Sequence, residues 1–173
     1  MSKLKKILVF TATYNEIKNI KELILEIKKY NPNVDILIID DNSPDGTSNK
    51  IIKLKKDIKN LFLITREKKL GLDSAHKLGY EFALDNKYDY FITMDADLSH
   101  DPKEIKNFLN HLSNYPFVIG SRYISGGKCL MKGRRLLISK YGNLIIKKIL
   151  QIDLNEFTTS YRGFDLNNLI NFH

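Results

Sequence analysis

One feature constrains this chain more than any other: short apolar runs alternate with amphipathic stretches. The runs Ile7–Phe10, Val34–Ile39, Leu61–Thr65, Tyr90–Met94 and Phe117–Gly120 have strand character. Between the first two, Ile17, Ile20, Leu23, Ile24 and Ile27 recur three and four apart among lysines and glutamates, which predicts a one-sided helix that Pro32 ends. Further helices are predicted through Ile51 and Leu54, from Gly71 to about Asn86, and through Ile105, Phe108 and Leu112. Asp101-Pro102 reads as the N-cap and first position of the last of these. Strand and helix in strict turn imply an α/β fold, a mostly parallel sheet with helices on both faces. With 173 residues there is room for one such domain.

Composition excludes several classes. An apolar fraction of 43% with 28% charged residues is that of an ordinary folded protein. A single cysteine, Cys129, permits no internal disulfide, and no Cys/His spacing fits zinc, so a reducing compartment is expected. The basic Met1–Lys6 segment is followed by no cleavage pattern, and no run approaches the roughly 18 apolar residues of a membrane span. The net charge of +8 is unevenly placed. From Ile105 to Ile152 there is no Asp or Glu, while Arg122, Arg134, Arg135, Lys140, Lys147 and Lys148 fall there. Carboxylates gather instead near 35–45 and 95–104. Such a division suits a metal together with a phosphate-bearing or membrane-surface partner, and equally a solvated basic face.

The acids sit where chemistry is expected, because open α/β sheets bind ligands at the carboxyl ends of their strands. Asp95-Ala96-Asp97 closes the fourth run, and two carboxylates on alternate residues of a strand share a face. Hard oxygen donors at that spacing suit Mg²⁺ or Mn²⁺ bridging to a diphosphate; the alternative is a turn with capping acids. Asp40-Asp41-Asn42-Ser43-Pro44-Asp45-Gly46 ends the second run, with acids suited to a ribose or base, or to an Asx turn. Thr13-Tyr14-Asn15-Glu16 ends the first: Tyr14 suits packing on a base, and Glu16 also suits a first helical turn. No glycine-rich dinucleotide loop or P-loop is present. His76, His100 and His111 form no triad with Cys129 and are expected in core or surface roles. After Ser125-Gly126-Gly127, the stretch Arg134–Leu150 reads as a basic amphipathic helix suited to a bilayer surface, with core packing equally open for Leu136–Ile138.

Five ordered segments carry a resemblance. Ala12–Glu16, Ile39–Thr47, Glu67–Leu72, Met94–His100 and Gly120–Tyr123 together resemble the family 2 glycosyltransferases, with the Rossmann-like GT-A fold, from about Ile7 to Phe164. More narrowly they are similar to the branch that acts on dolichyl or polyprenyl phosphate. The resemblance implies an inverting transfer of mannose from GDP-mannose to that lipid phosphate, aided by Mg²⁺ or Mn²⁺. It implies nucleotide-binding positions at Ala12, Tyr14, Glu16, Ile39, Asp41, Asp95, Ala96, Asp97 and Ser99, with Asp95, Asp97 and Ser99 at the metal. It implies roles for Arg122 and Arg135 at the phosphates, so that Asp97, Arg122 and Arg135 are the expected catalytic set. Glu156–Arg162 resembles a later family segment in which aspartate is usual at the first position, and Ala12 stands where proline is usual. Residues 1–121 are then the nucleotide-sugar part and 122–173 the acceptor and membrane-facing part of one domain. The family continues beyond the point matching His173, so the resemblance implies a C-terminal truncation. The expected location is the cytoplasmic face of a membrane. A UDP-glucose donor is the alternative within the class. A basic membrane- or nucleic-acid-binding module is the alternative outside it, although the acidic strand ends would repel a nucleic-acid backbone.

Overall fold

The structure, a computed structural model, describes residues 4–124, 133–151, 154 and 156–169, apart from the side chains of Arg135 and Leu136. Its strands are β1 (Ile7–Thr13), β2 (Asp35–Asp40), β3 (Leu61–Thr65), β4 (Tyr90–Thr93), β5 (Phe117–Ile119) and β6 (Arg162–Asp165). The helices are α1 (Ile20–Tyr30), α2 (Thr47–Leu54), α3 (Leu72–Asp85), α4 (Ile105–Leu112), α5 (Arg134–Leu150) and the single turn α6 (Leu166–Leu169). The sheet runs in the order β3-β2-β1-β4-β6-β5. Pairings among β1 to β4 are parallel; β6 is antiparallel to both its neighbours, β4 and β5.

Alternation along each strand divides the core in two. Val9, Ile36, Ile38 and Ile92 point to one face, where Ile20, Leu23, Ile24 and Ile27 of α1, Ile51 of α2 and Ile105, Phe108 and Leu112 of α4 cover them. Leu8, Phe10, Leu37, Ile39 and Phe91 point to the other, under Ala75 and Ala83 of α3 and Leu166 of α6. Most of these aliphatic side chains are wholly buried, and each contributes about 1.5–3 kcal/mol. The expected mostly parallel sheet with helices on both faces is therefore what forms. Asp101 caps the turn before α4, its carboxylate accepting the Lys103 amide at 3.0 Å, with Pro102 at the first position as the sequence predicts.

β1, β2, β4, β6 and α5 depart in part from expectation. β1 and β2 run further, to Thr13 and Asp40, because those two residues are partners in register and Thr13 Oγ1 donates to Asp40 Oδ1 at 2.7 Å. β4 stops earlier, at Thr93: Met94 still donates to Phe10 O, but the chain then bends and Leu98 takes a left-handed φ of 63°. Asp95 and Asp97 thus lie on a turn rather than on one face of a strand. β6 has no counterpart among the predicted strands, because Arg-Gly-Phe-Asp carries no run of apolar residues. The helix α5 has the bounds predicted, but core packing of Leu137 and Ile138 does not occur, since they are 54% and 73% exposed. Cys129 and the segment Ser125-Gly126-Gly127 lie outside the described residues.

Candidate active site

Parallel pairing brings the carboxyl ends of β1, β2 and β4 to one edge, and the loops that follow them form the site. At the end of β2, Asp40 is wholly buried and accepts from the Ser43 amide, from Ser43 Oγ and from Ser48 Oγ at 2.6–2.9 Å, besides Thr13. A carboxylate so saturated is a structural hub. The neighbouring Asp41 is also buried and forms an ion pair with buried Arg66, while its second oxygen accepts the Leu70 amide at 3.2 Å. Asp41 therefore ties the 66–71 loop to the sheet. Arg66 extends the same tie to α3 through Ser74 Oγ at 2.6 Å and Gly71 O at 3.0 Å. The loop delivers Lys69 over the exposed ring of Tyr14, 4.1 Å from its centroid.

The remaining β1-side positions divide similarly. Ala12 is half-buried in the last part of β1, and the Ile39 side chain is wholly packed in the core, so it presents nothing to a ligand in the cleft. Glu16 is held at the start of α1: its amide donates to Thr47 Oγ1 at 3.0 Å and its carboxylate accepts from Asn19 Nδ2 at 2.8 Å. Asp45 closes that corner, accepting the Ile17 amide and both donors of Thr47.

Beyond β4 the turn 95–100 carries the two carboxylates. Asp97 is exposed, and its Oδ1 accepts the Ser99 amide at 3.0 Å. Partial burial opposes ionisation of Asp97, but the bonds from Ser99 and the nearby His100 outweigh it and hold the carboxyl below its ordinary 3.8. Asp95 is half-buried and receives the hydroxyl of Ser160 on Oδ1. Ala96 between them is buried. No three His, Cys, Asp or Glu side chains converge into a closed metal cage among the described residues. Two carboxylates on one turn are instead the kind of hard oxygen donors that Mg²⁺ or Mn²⁺ takes beside water and phosphate oxygens, so Asp95 and Asp97 could hold such an ion.

Across from this turn, the start of β6 and the segment before it contribute groups that the sequence does not single out as site residues. Ser160 reaches Asp95, and Arg162 is anchored by the carbonyls of Thr159 and Phe157 at 2.8 and 3.2 Å. A cleft of about 280 Å³ lies between this segment and the start of α3, with Asp73, His76, Ser160 and Arg162 in its wall. Burial first, then the charge of Arg162, lowers the His76 pKa below 6.5, so the ring is neutral at pH 7. His76 adjoins the cleft and His100 the acidic turn while both pack on core rings, His76 against Phe10 and His100 against Tyr161, in keeping with the expected core roles. Their short, charge-free signals in sequence give no hint of this placement beside the cleft; only the sheet order brings residues 76, 100 and 160 together.

Arg122 is engaged differently from a waiting phosphate clamp. Its Nε and Nη2 donate to buried Glu156 at 2.8 and 2.9 Å, and Nη2 also meets Thr158 Oγ1 at 3.0 Å. Glu156 in turn accepts from Asn143 of α5 at 3.2 Å, and Asn143 accepts the Phe157 amide at 2.8 Å. One buried carboxylate therefore joins Arg122, α5 and the segment leading to β6. The side chain of Arg135 lies outside the described residues.

A parallel sheet with an acidic turn at the carboxyl end of a central strand is the architecture of the GT-A nucleotide-sugar transferases. Two solved structures share this fold, and at 15% identity each they speak for the fold alone. Glucosyl-3-phosphoglycerate synthase from Mycobacterium tuberculosis matches with a TM-score of 0.68 over 93% of this chain and 56% of its own. A mannosyltransferase from Pyrobaculum calidifontis, solved with GDP-Man and Mn²⁺, matches at 0.64 over 98% of this chain and 47% of its own. The chain belongs to glycosyl transferase family 2, whose model matches residues 8–169. An undecaprenyl-phosphate mannosyltransferase of Micrococcus luteus is 32% identical over 160 residues, 92% of this chain and 66% of the relative. A polyprenol monophosphomannose synthase of Mycolicibacterium smegmatis is 33% identical over 163 residues, 92% and 62% respectively. The chain thus spans just under two thirds of the length of these relatives.

Proposed function

We propose that this chain carries the donor-binding part of an inverting glycosyltransferase that moves mannose from GDP-mannose to a dolichyl or polyprenyl phosphate. The observation that carries the reading is the Asp95–Asp97 turn, held at the carboxyl edge of the sheet with one carboxylate anchored and one open to solvent. The names of the mannosyltransferase relatives support mannose as the sugar and a polyprenyl phosphate as the acceptor.

A divalent cation, Mg²⁺ or Mn²⁺, bound by Asp95 and Asp97 supplies charge neutralisation for the leaving diphosphate. Ser99 orients Asp97 through its amide, and Ser160 fixes Asp95 from the opposite wall. Tyr14, under Lys69, offers a face for the base beside the corner organised by Asp41 and Arg66. A sugar hydroxyl acceptor needs a general base, but a lipid monophosphate has a second pKa of about 6 and arrives as an anion. Positive charge is therefore what the acceptor side must offer, and Arg135 is assigned to it, while Arg122, paired with Glu156, holds the adjoining segment in place.

Residues 1–121 then handle the nucleotide sugar and 122–173 the acceptor. No helix among the described residues is long and apolar enough to cross a membrane. The exposed Ile138, Ile145 and Ile149 of α5, with Lys140 and Lys148 also on that helix, are assigned to the cytoplasmic surface of the bilayer where the lipid resides.

Asp97 is exposed and bonds only locally, so Asp97→Asn leaves the thermal midpoint nearly unchanged. It lowers Mn²⁺-dependent transfer of labelled mannose to polyprenyl phosphate by about a hundredfold or more. Full transfer with unaltered metal dependence would remove Asp97 from the site.

A further inference from the structure

Where β4 ends, one backbone donor is left without a ladder partner. Met94 donates to Phe10 O, but the next amide, that of Asp95, has no strand beside it and is taken by Nδ1 of His100 at 3.0 Å. A nitrogen that accepts must be unprotonated, so this ring in its neutral form carries its hydrogen on Nε2. Nε2 lies 3.7 Å from Asp95 Oδ2 and 3.5 Å from Thr159 Oγ1. The two nitrogens of a single ring therefore face the two ends of Asp95, its amide and its carboxylate.

The ring itself is not free to turn. It stacks on Tyr161 with centroids 4.8 Å apart, Tyr161 stacks on Phe108 at 4.4 Å, and the Tyr161 hydroxyl donates to Asp101 O at 2.9 Å. The His100 side chain is only 14% exposed. On the other side Ser160 donates to Asp95 Oδ1, and Ser160 is held through its carbonyl by Thr93 Oγ1. Asp95 is thus fixed from three directions, while Asp97 two residues on is exposed and receives the amide of Ser99.

We propose that His100 is a positioning residue for Asp95: it sets the carboxylate in the orientation that receives the metal–nucleotide complex. The proposal rests on the reading of Asp95 and Asp97 as cation ligands. Outer partners that orient a ligand typically alter metal affinity by about ten- to a hundredfold when removed, because the ligand then has to be ordered at the moment of binding.

The test is binding of GDP by calorimetry, with and without Mn²⁺, together with Mn²⁺ affinity by electron paramagnetic resonance. His100→Phe keeps the stacked ring and removes both nitrogens. It is expected to weaken Mn²⁺-dependent GDP binding about tenfold or more and to leave metal-free binding unchanged. His100→Asn places an oxygen where Nδ1 sits and is expected to restore most of the loss; His100→Gln, which reaches only towards the Nε2 position, is not. If the Phe variant does not fold, the Asn and Gln pair gives the same contrast. Equal affinities across the variants, or equal losses with and without Mn²⁺, would overturn the positioning role while leaving the site reading intact. Absence of any Mn²⁺ effect in the wild-type protein would overturn the cation site and this inference with it.

Discussion

Glu156 shows how one side chain can set the terms for its neighbours. Its carboxylate is wholly buried and receives two arms of Arg122, the amide of Asn143 and both donors of Thr158. Burial alone would raise its pKa from the ordinary 4.5, but the bonds from Arg122 and Thr158 outweigh burial and the net shift is downward. A depressed carboxylate stabilises the fold fully above its unfolded value, and that contribution is lost as pH falls through the folded value. The thermal midpoint is therefore expected to fall as pH drops from 6 towards 3. Glu156→Gln should be less stable than wild type at neutral pH by about 1–3 kcal/mol. The gap should narrow in acid, and a constant gap across the range would contradict the ion-pair account. This pairing was only partly legible in the sequence. Glu156 and Arg122 stood out there separately, but a chain separation of 34 residues hides which acid meets which base. The Asp40–Asp41 pair misleads in the same way: both acids are at the strand mouth as expected, yet one is bound up by Thr13 and Ser43 and the other by Arg66.

At the scale of elements, periodicity told most and failed in one place. The helices α1, α3 and α4 and the buried strands β1 and β2 declare themselves by apolar spacing, since each presents a continuous face to the core. β6 does not, because its role is to be thin. Gly163 lies beneath α4, and a Cβ there would come within 2.9 Å of Phe108 Cδ1 and 3.1 Å of Leu112 Cδ1. Both contacts are rigid parts of the core, so helix and sheet can approach this closely only over glycine. Gly163→Ala is expected to destabilise the protein by about 1–3 kcal/mol in urea unfolding, the usual cost of overpacking. A change below about 0.5 kcal/mol, the range of an uninvolved surface substitution, would contradict that packing. The strand has a second consequence. By running antiparallel between β4 and β5, it returns the chain so that Ser160 and Arg162 stand opposite the carboxyl end of β4. Half of the site wall thus depends on the element that local pattern could not reveal.

Taken whole, the molecule separates two kinds of chemistry. Carboxylates occupy the edge formed by β1, β2 and β4, and the acid-free stretch from Ile105 to Ile152 carries Arg122 and the lysines of α5. Strand–helix alternation made the α/β class readable, and the five ordered segments pointed to family 2, to which the chain belongs. The donor sugar was not readable in the same sense. The cleft-wall residues Asp73, His76 and Arg162 meet only after folding, so no local pattern in the sequence describes the cleft they line. The measurement that addresses the central claim is calorimetric titration of the purified protein with GDP-mannose and with UDP-glucose, each with and without Mn²⁺. The account predicts binding of GDP-mannose that requires the metal, and none or far weaker binding of UDP-glucose. Metal-independent binding, or preference for UDP-glucose, would contradict it.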